Sequence, residues 1–483
     1  MNTLIKLNPD QNEAMAAISD FLMSPNLDAF VLCGSAGTGK TTLVAKIIEL
    51  AHQLLLDSLL VAPTGRAAQI LQGKLSQMLP SSMGAPFVST IHSALYYMAS
   101  LEVDEERLEE GLSTIQMGFS IKKQKEPFDL LIVDETSMVG DNPTNQSSMM
   151  FGSGRLLSDL IDHTQDLYRK GIVNRPIKVL FVGDLAQLPP VGSQDSPALS
   201  PKYLYNYFGL NARRYELTTV MRQGDKSGIL SFANQIRERI FTGYRGDFSI
   251  PFNRYDICPI DFHPAVNLIA NNISQNLSCA AVVYSNAMAK EYNLSVRAQL
   301  WGNAYAPISP RDRLLVTRNS PEYGLSNGDL VDVHTVMTNS HEERVYLPNG
   351  QIANLKFREV RLQLSMVSGV TQVVETLILE NLLYSSKREL EETEQHALYL
   401  LVCQRNPFVD PNSHEFRELL QTDRYFNALQ VKFGYAMTCH KAQGGEWEQV
   451  ILDPTGVNTN SDMGYRWMYT AVTRASYCLF VVQ

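Results

Sequence analysis

Residues 34–41 read Gly-Ser-Ala-Gly-Thr-Gly-Lys-Thr and fit the pattern G-x-x-x-x-G-K-[ST]. Residues 29–33 before them are apolar and predict a buried strand, and residues 41–56 after them have the pattern of a helix. A glycine-rich turn in this context lets backbone N–H groups converge on phosphate oxygens, and the helix N-terminus adds its positive dipole end. The stretch therefore predicts a phosphate-binding loop at the edge of a parallel sheet.

Two residues of this loop have a predicted chemical role in nucleotide binding. Lys40 would reach the β- and γ-phosphates of ATP, and Thr41 would offer its hydroxyl to Mg²⁺. An accidental glycine loop is the alternative, and the flanking strand and helix argue against it. The other predicted nucleotide contacts are the neighbouring residues Gly34, Ser35, Ala36, Gly37, Thr38, Gly39 and Thr42.

Two further apolar strands end in polar residues. Residues 129–133 run into Asp134 and Glu135, and the carboxyl edge of a parallel strand is where such sheets bind ligands. Asp134 is predicted to hold Mg²⁺, and Glu135 to polarise the attacking water as general base. Residues 178–182 run into a turn that contains Gln187, which would sense the γ-phosphate or orient the water. Taken alone, a proline-terminated turn is the simpler interpretation of that third strand end.

Composition narrows the class of protein. The chain has 483 residues, the length of about three domains at ~150 residues each. Its 41 Lys and Arg against 50 Asp and Glu give a net charge of −9, which excludes a wholly basic nucleic-acid coat but leaves room for a local basic groove. The six cysteines form no C-x-x-C pair, so neither a zinc ribbon nor a disulfide framework is indicated. No signal peptide or apolar span is recognisable, and we expect a soluble intracellular protein.

The pattern of apolar residues divides the chain into regions. The first half alternates short strands with helices, which predicts a parallel sheet with right-handed crossovers. Residues 101–126 are acidic and then basic, and residues 141–154 read as a surface loop; neither is expected to add a strand to that sheet. Residues 301–423 contain short alternating segments separated by Asn-Gly turns, which predicts a small β-barrel insertion. Beyond residue 431 the α/β pattern returns.

A series of short motifs occurs in a fixed order along the chain. They are Gln11, the loop at 34–41, and residues 62–68, 90–92, 134–135, 183–190, 221–223, 438–444 and 469–475. In this order the set resembles the superfamily 1 DNA helicases of the RecD/Dda branch, superfamily 1B. The compact N-terminus is most similar to the phage-type Dda helicases, and the resemblance runs from Gln11 to about residue 482.

The resemblance implies an α/β fold with two RecA-like P-loop NTPase domains. The first would span residues 1–214, with a pin-type insertion at about 95–127. The second would span residues 215–300 and 424–483, with an SH3-like β-barrel insertion at 301–423. By the same resemblance Gln11 would read the adenine, Gln443 would face the nucleotide, and Arg222 and Arg474 would act as arginine fingers.

The resemblance also implies a path for single-stranded DNA across both domains. The residues expected to contact it are Thr64, Arg66, Thr90, His92, Ser285, Asn286, Thr438 and His440. A plain helix cap is the alternative for Thr64, and a structural histidine for His92. The family more often has Thr at position 285, and Gly445 stands where a serine is common. Phe119 is the candidate for a base-stacking tip of the pin.

The function implied is that of an ATP- and Mg²⁺-dependent DNA helicase that moves 5′→3′ on single-stranded DNA. It would act as a monomer, away from membranes, on single-stranded and forked DNA, in the cytoplasm of a bacterial cell or a phage-infected host. Single-strand-binding, replication or repair proteins would be its protein partners. Three alternatives stay open: an ATP-dependent translocase or clamp without strand separation, a motor subunit of a larger nuclease complex, and RNA as the substrate.

Overall fold

The computed structural model describes residues 6–84, 86–103, 115–122, 128–143, 149–220, 227–245, 248–253, 255–365, 371–411 and 413–483. Its α-helices are α1 (Pro9–Met23), α2 (Lys40–Gln53), α3 (Gly65–Met78), α4 (Ile91–Leu95), α5 (Leu156–Arg169), α6 (Pro201–Phe208), α7 (Gly228–Thr242), α8 (Phe262–Ser274), α9 (Asn286–Trp301), α10 (Glu392–Arg405), α11 (His414–Thr422), α12 (Cys439–Ala442) and α13 (Asp462–Val472). Its strands are β1 (Ala29–Gly34), β2 (Ser58–Ala62), β3 (Val88–Thr90), β4 (Tyr96–Val103), β5 (Ile115–Ile121), β6 (Leu130–Val133), β7 (Met149–Phe151), β8 (Lys178–Gly183), β9 (Ala212–Leu217), β10 (Ile257–Ile260), β11 (Cys279–Val283), β12 (Arg313–Val316), β13 (Leu330–Val336), β14 (His341–Tyr346), β15 (Ile352–Ser365), β16 (Thr371–Leu379), β17 (Leu429–Phe433), β18 (Ala436–Thr438), β19 (Trp447–Asp453) and β20 (Ala475–Val482).

The first sheet is parallel throughout, with strand order β3-β2-β6-β8-β1-β9. Residues on β1 alternate between two separate apolar cores. Phe30 and Leu32 pack with α1, α2 and α3, whereas Val31 and Cys33 pack with α5 and α6. Both faces of the strand are therefore buried, which is why β1 reads as a continuous apolar run.

The second sheet is also parallel, with strand order β10-β20-β19-β11-β18. Helices α7 and α13 pack on one face of it, and α8 and α9 on the other. The predicted fold class, two RecA-like α/β domains, is confirmed by this pair of parallel sheets.

The strand pairings place two domain boundaries at positions other than those predicted. Strand β9 pairs with β1 as far as Leu217, so a boundary at residue 214 would cut through the last strand of the first sheet. Strand β17 pairs with β12 and β16, so an insertion that ends at residue 423 omits one of its strands. Both errors have the same cause, because the pairing partner that settles the boundary is far away in sequence.

The inserted strands close into a ring. Their order is β13-β12-β17-β16-β15-β14, and a further pairing between β13 and β15 closes a barrel of five strands with β14 on its outside. Helices α10 and α11 pack with residues of β14–β16 in an apolar cluster beside the barrel. The barrel predicted from the Asn-Gly turns is therefore present.

A small sheet of three strands, β4-β5-β7, projects from the first domain. Strands β4 and β5 form an antiparallel hairpin, and β7 pairs with β5 in parallel. The interpretation of residues 141–154 as only a surface loop is wrong, because β7 lies within them. Phe119 pairs with Met98 inside the hairpin and stacks on Phe151 with ring centroids 4.4 Å apart. This placement within a strand contradicts its assignment to the tip.

The hairpin sheet also contacts the barrel side of the molecule. Met98, Met117, Phe119 and Met149 pack into the apolar cluster formed with α10 and α11. Residues 104–114, which connect β4 to β5, lie outside the described part of the chain. Among the helices that are described, none is long and apolar enough to cross a membrane.

Candidate nucleotide site and nucleic-acid interface

The loop between β1 and α2 has the backbone that its sequence predicts. Gly37 and Gly39 have φ of +83° and +85°, a left-handed conformation that residues with a Cβ rarely adopt. The Lys40 ammonium donates to the carbonyls of Gly34 at 2.8 Å and Ser35 at 3.1 Å. Its side chain therefore folds back over the loop, where a phosphate group would offer it stronger acceptors.

Gln11 connects helix α1 to this loop. Its Nε2 donates to the carbonyl of Thr38 at 3.1 Å, and its Oε1 accepts the backbone N–H of Asn8 at 3.1 Å. The side chain is 2% exposed. Both ends of the amide are thus engaged within the protein, and its predicted contact with adenine stays a prediction.

Two carboxylates follow β6, beside the loop. Burial, together with the negative charge of Glu135, raises the pKa of Asp134 to about 7, and the Lys40 ammonium acts in the opposite direction. Glu135 itself has φ of +47°, an unusual conformation for a residue with a side chain and one often found at functional sites. A buried carboxylate whose charge is poorly compensated fits a cation ligand, so the residues present suit Mg²⁺ held by Asp134 and Thr41.

A helix of the second domain reaches the phosphate loop. The Tyr469 hydroxyl, on α13, accepts the backbone N–H of Ala36 at 3.3 Å and donates to the Asp184 carboxylate at 2.5 Å. Burial and the Asp184 charge raise the pKa of Tyr469 well above its usual value. Asp184 is fully buried, and this hydroxyl joins the two domains directly at the candidate nucleotide site.

The same helix holds the turn after β8. The backbone N–H of Leu188 donates to the Thr470 hydroxyl at 2.9 Å, and the Leu188 carbonyl accepts the Gln443 amide at 3.1 Å. Gln187 is 4% exposed in this turn and lies 3.4 Å from the Ser137 hydroxyl. The structure therefore brings Gln187 and Gln443, two residues predicted at the nucleotide, to one interdomain interface.

Of the two predicted arginine fingers, Arg474 lies in the described part of the chain. Arg474 is 5% exposed, and its guanidinium donates to the carbonyls of Thr470 at 2.9 Å and Gly445 at 3.0 Å. These acceptors belong to its own domain, so a contact with nucleotide would require their exchange. Arg222 lies in residues 221–226, outside the described residues.

Sequence reasoning missed another arginine in the cleft. Arg237, on α7, donates to Glu216 at 2.6 Å and has its Nε 3.9 Å from Asp184. Asp184 and Glu216 raise the pKa of Arg237, although its burial opposes them. No motif surrounds Arg237 in the sequence, and only the approach of α7 to the edge of the first sheet reveals it.

The predicted DNA-contact residues occur at the carboxyl ends of strands in both sheets. Thr64, Thr90 and Ser285 each cap a helix, accepting the N–H of Ala67 at 3.2 Å, Ser93 at 3.0 Å and Met288 at 3.2 Å. Asn286 begins α9, and Thr438 precedes α12, where His440 lies in the first turn. The capping interpretation of Thr64 is therefore correct, and it leaves room for a phosphate contact at the same helix end.

Two of the candidates, Arg66 and His92, pack against aromatic rings. The guanidinium of Arg66 lies 4.0 Å from the centre of the Trp447 ring, and burial lowers the pKa of Arg66 to about 10. His92 packs against Tyr96 and Phe151, with ring centroids 5.7 and 5.0 Å away. Burial lowers the pKa of His92 to about 4, so it is a neutral histidine at neutral pH.

The glycine at position 445 has a steric explanation. A Cβ there would lie 2.6 Å from the Trp447 ring and 2.9 Å from Nε of Arg66. A serine would therefore collide with the stacked pair, and the departure from the family pattern follows from that packing.

Comparisons with known proteins agree with the motifs. Residues 16–193 match the family described as an AAA domain, and residues 433–482 match the UvrD-like helicase C-terminal domain. The ATP-dependent RecD2 DNA helicase of Deinococcus radiodurans is 30% identical over 224 residues, which are 46% of this chain and 23% of that protein. An uncharacterized protein of Acanthamoeba polyphaga mimivirus is 22% identical over 97% of this chain and 98% of its own length.

Other relatives match more of the chain but at lower sequence identity. An uncharacterized protein of Methanocaldococcus jannaschii is 24% identical over 94% of this chain, which spans only 36% of that relative. A solved structure of Pif1 helicase from Bacteroides with ADP-AlF3 and single-stranded DNA is 16% identical, with a TM-score of 0.47 over 99% of this chain and 92% of that one. Pif1 helicase from Candida albicans is 16% identical, with a TM-score of 0.43 over 99% and 95% of the two chains.

The fold and the loop define a P-loop α/β protein with a candidate nucleotide site between two parallel-sheet domains. The ordered motifs, the helicase C-terminal match and the RecD2 similarity go further. In its ordered motifs and in these matches the chain is similar to the superfamily 1B helicases.

Proposed function

We propose that this protein hydrolyses ATP with Mg²⁺ to move 5′→3′ along single-stranded DNA and to separate the duplex ahead of it. The observation that carries the proposal is the hydroxyl of Tyr469, which joins the second domain to the phosphate loop and to Asp184 at once. Binding and loss of a nucleotide phosphate at this loop must change that contact. The change alters the spacing of the two domains.

The residues of the cleft have separate roles in hydrolysis. Lys40 exchanges its two carbonyl acceptors for phosphate oxygens, and Glu135 takes a proton from the attacking water. Asp134 and Thr41 would hold Mg²⁺, and the ion would neutralise phosphate charge. Arg222 and Arg474 stabilise the charge that develops on the transferring phosphoryl group.

Movement follows from two grips on the strand. Thr64 and Thr90 lie at strand ends of the first sheet, and Ser285 and Thr438 at strand ends of the second. When the cleft opens and closes, the distance between the grips changes, and each domain can hold while the other releases. The direction 5′→3′ rests on the resemblance to the RecD/Dda branch.

The proposal is tested first by DNA-stimulated ATP hydrolysis. Wild type should hydrolyse ATP faster when oligo-dT is added, whereas Lys40→Ala should lose hydrolysis with and without DNA. Lys46→Ala is the matched control, because Lys46 lies on the same helix and pairs with Glu49 at 2.7 Å. Equal stimulation by oligo-U would favour an RNA substrate, and hydrolysis that ignores both oligonucleotides would refute the proposal.

A further inference from the structure

The first turn of α1 contacts the connection between the two domains. Strand β9 belongs to the first sheet and α7 packs on the second, and residues 218–220 are the start of the chain that links them. One oxygen of the Asp10 carboxylate accepts the backbone N–H groups of Thr218 and Thr219, each at 2.8 Å. A side chain of α1 therefore fixes the point where the chain leaves the first domain.

Further bonds hold the Asp10 carboxylate in this position. Its second oxygen accepts the Tyr215 hydroxyl of β9 at 3.0 Å, and that hydroxyl also lies 3.1 Å from an oxygen of Glu13. Burial raises the pKa of Asp10, but the hydrogen bonds that the carboxylate accepts outweigh it and leave the pKa below its usual value. Asp10 is therefore charged at neutral pH, and a charged acceptor binds the two N–H groups more strongly than a neutral one.

The same helix turn contacts the phosphate loop. Gln11 follows Asp10 in the chain, and its Nε2 donates to the Thr38 carbonyl at 3.1 Å. The approach is close, because a Cβ on Gly39 would lie 2.3 Å from the same nitrogen. A capping box between Asn8 and Gln11 holds the turn in shape. Adjacent residues of one fixed turn thus contact the phosphate loop and the connection between the domains.

The end of β9 is held from the second domain as well. Arg237 on α7 donates to Glu216 at 2.6 Å, and Glu216 is the neighbour of Tyr215 in the strand. The strand end therefore contacts α1 on one side and α7 on the other. A shift of α1 against this strand end must either be passed on to the second domain or break these bonds.

We propose that Asp10 is a positioning residue for ATP hydrolysis. It ties the start of the domain connection to the helix turn at the phosphate loop, and so couples the state of the loop to the approach of the second domain. Asp10 itself touches neither the nucleotide nor the reacting atoms. The inference rests on the proposed function, because it requires hydrolysis at this loop.

The test compares steady-state ATP hydrolysis by wild type and Asp10→Ala, with and without oligo-dT. The phosphate loop and Gln11 stay in place, so the KM for ATP should change by less than about 2-fold. The kcat should fall roughly 10-fold, the effect expected when the bonds of one carboxylate are lost. Asp20→Ala is the matched control and should keep both values, because Asp20 lies on the same helix with its side chain 71% exposed.

A second variant separates positioning from folding. The amide oxygen of asparagine has two lone pairs and can accept both N–H groups, so Asp10→Asn should recover most of the kcat that Asp10→Ala loses. Thermal unfolding of each variant is followed by circular dichroism, and kcat is expressed per folded protein. A purely structural role would leave that corrected kcat at the wild-type value.

The outcomes separate this inference from the proposed function. If wild type hydrolyses ATP in response to oligo-dT, but Asp10→Ala has the kcat of Asp20→Ala or changes only KM, the role of Asp10 alone is refuted. Equal losses of kcat in Asp10→Asn and Asp10→Ala would also refute it. If wild type hydrolyses ATP and ignores oligo-dT, the proposed function fails while the comparison without DNA still decides on Asp10. If wild type hydrolyses no ATP, both are refuted.

Discussion

A buried ion pair fixes the start of the barrel to the second domain, and its loss should be costly. Arg297 on α9 and Asp312 before β12 are both fully buried and bonded to each other. Asp312 also accepts from Trp301 at 3.0 Å and Tyr435 at 2.5 Å, and Arg297 donates to the Pro307 carbonyl at 3.1 Å. Every partner lies at the junction of α9 and the barrel.

Replacement of Arg297 by leucine leaves the Asp312 carboxylate in the core without its cation. Removal of one member of a buried pair typically lowers the free energy of unfolding by about 3–5 kcal/mol. The arginine also covers the ring of Phe433 at 4.0 Å, so lost packing adds to the effect. We therefore expect Arg297→Leu to lose about 4 kcal/mol.

Urea denaturation followed by tryptophan fluorescence measures this loss, because Trp301 donates directly to Asp312. The double variant Arg297→Leu with Asp312→Leu removes both charges and should recover part of the stability. A loss below about 1 kcal/mol in the single variant, or a double variant less stable than the single one, would refute the reasoning.

Three further predictions concern the cleft and the DNA path. Tyr469→Phe should lower the free energy of unfolding by about 2 kcal/mol, because the buried Asp184 carboxylate loses a hydrogen-bond donor. Tyr205→Phe is the control in the same urea assay, because the Tyr205 side chain is 64% exposed. Phe119→Ala removes the ring that stacks on Phe151, so it should loosen the hairpin sheet and reduce strand separation while DNA-stimulated ATP hydrolysis stays intact; unchanged unwinding would contradict a pin role for the hairpin. Affinity for oligo-dT should fall as pH rises through about 8, where Lys432 and Lys441, beside the predicted DNA contacts Asn286 and Thr438, lose their protons, and should fall less in Lys432→Arg; fluorescence anisotropy across that pH range checks it.

The features predicted correctly from the sequence are those that depend on residues close together in the chain. The phosphate loop needs glycine at two positive φ positions, and Thr64 needs only the helix that follows it. The apolar runs that became β1, β6 and β8 were visible because parallel strands are buried on both faces. These features depend on residues within one turn or one strand of each other.

Contacts between distant segments could not be predicted in this way. Arg237 meets Asp184 only because α7 docks on the first sheet, and Tyr469 meets Ala36 across 433 positions of sequence. Strand β7 is three residues long and has no alternation to detect, and its pairing with β5 alone defines it. Arg474 was expected to face the nucleotide, but its position depends on carbonyls that only the folded domain brings together.

Forked DNA with a single tail tests the central claim most directly. Purified protein is given ATP and Mg²⁺ with a duplex that carries either a 5′ or a 3′ single-stranded tail, and strand separation is measured by fluorescence. We predict unwinding of the 5′-tailed substrate alone, and none by Lys40→Ala. Unwinding from the 3′ tail would contradict the direction, and intact DNA-stimulated hydrolysis without unwinding of either substrate would make the protein a translocase or a clamp.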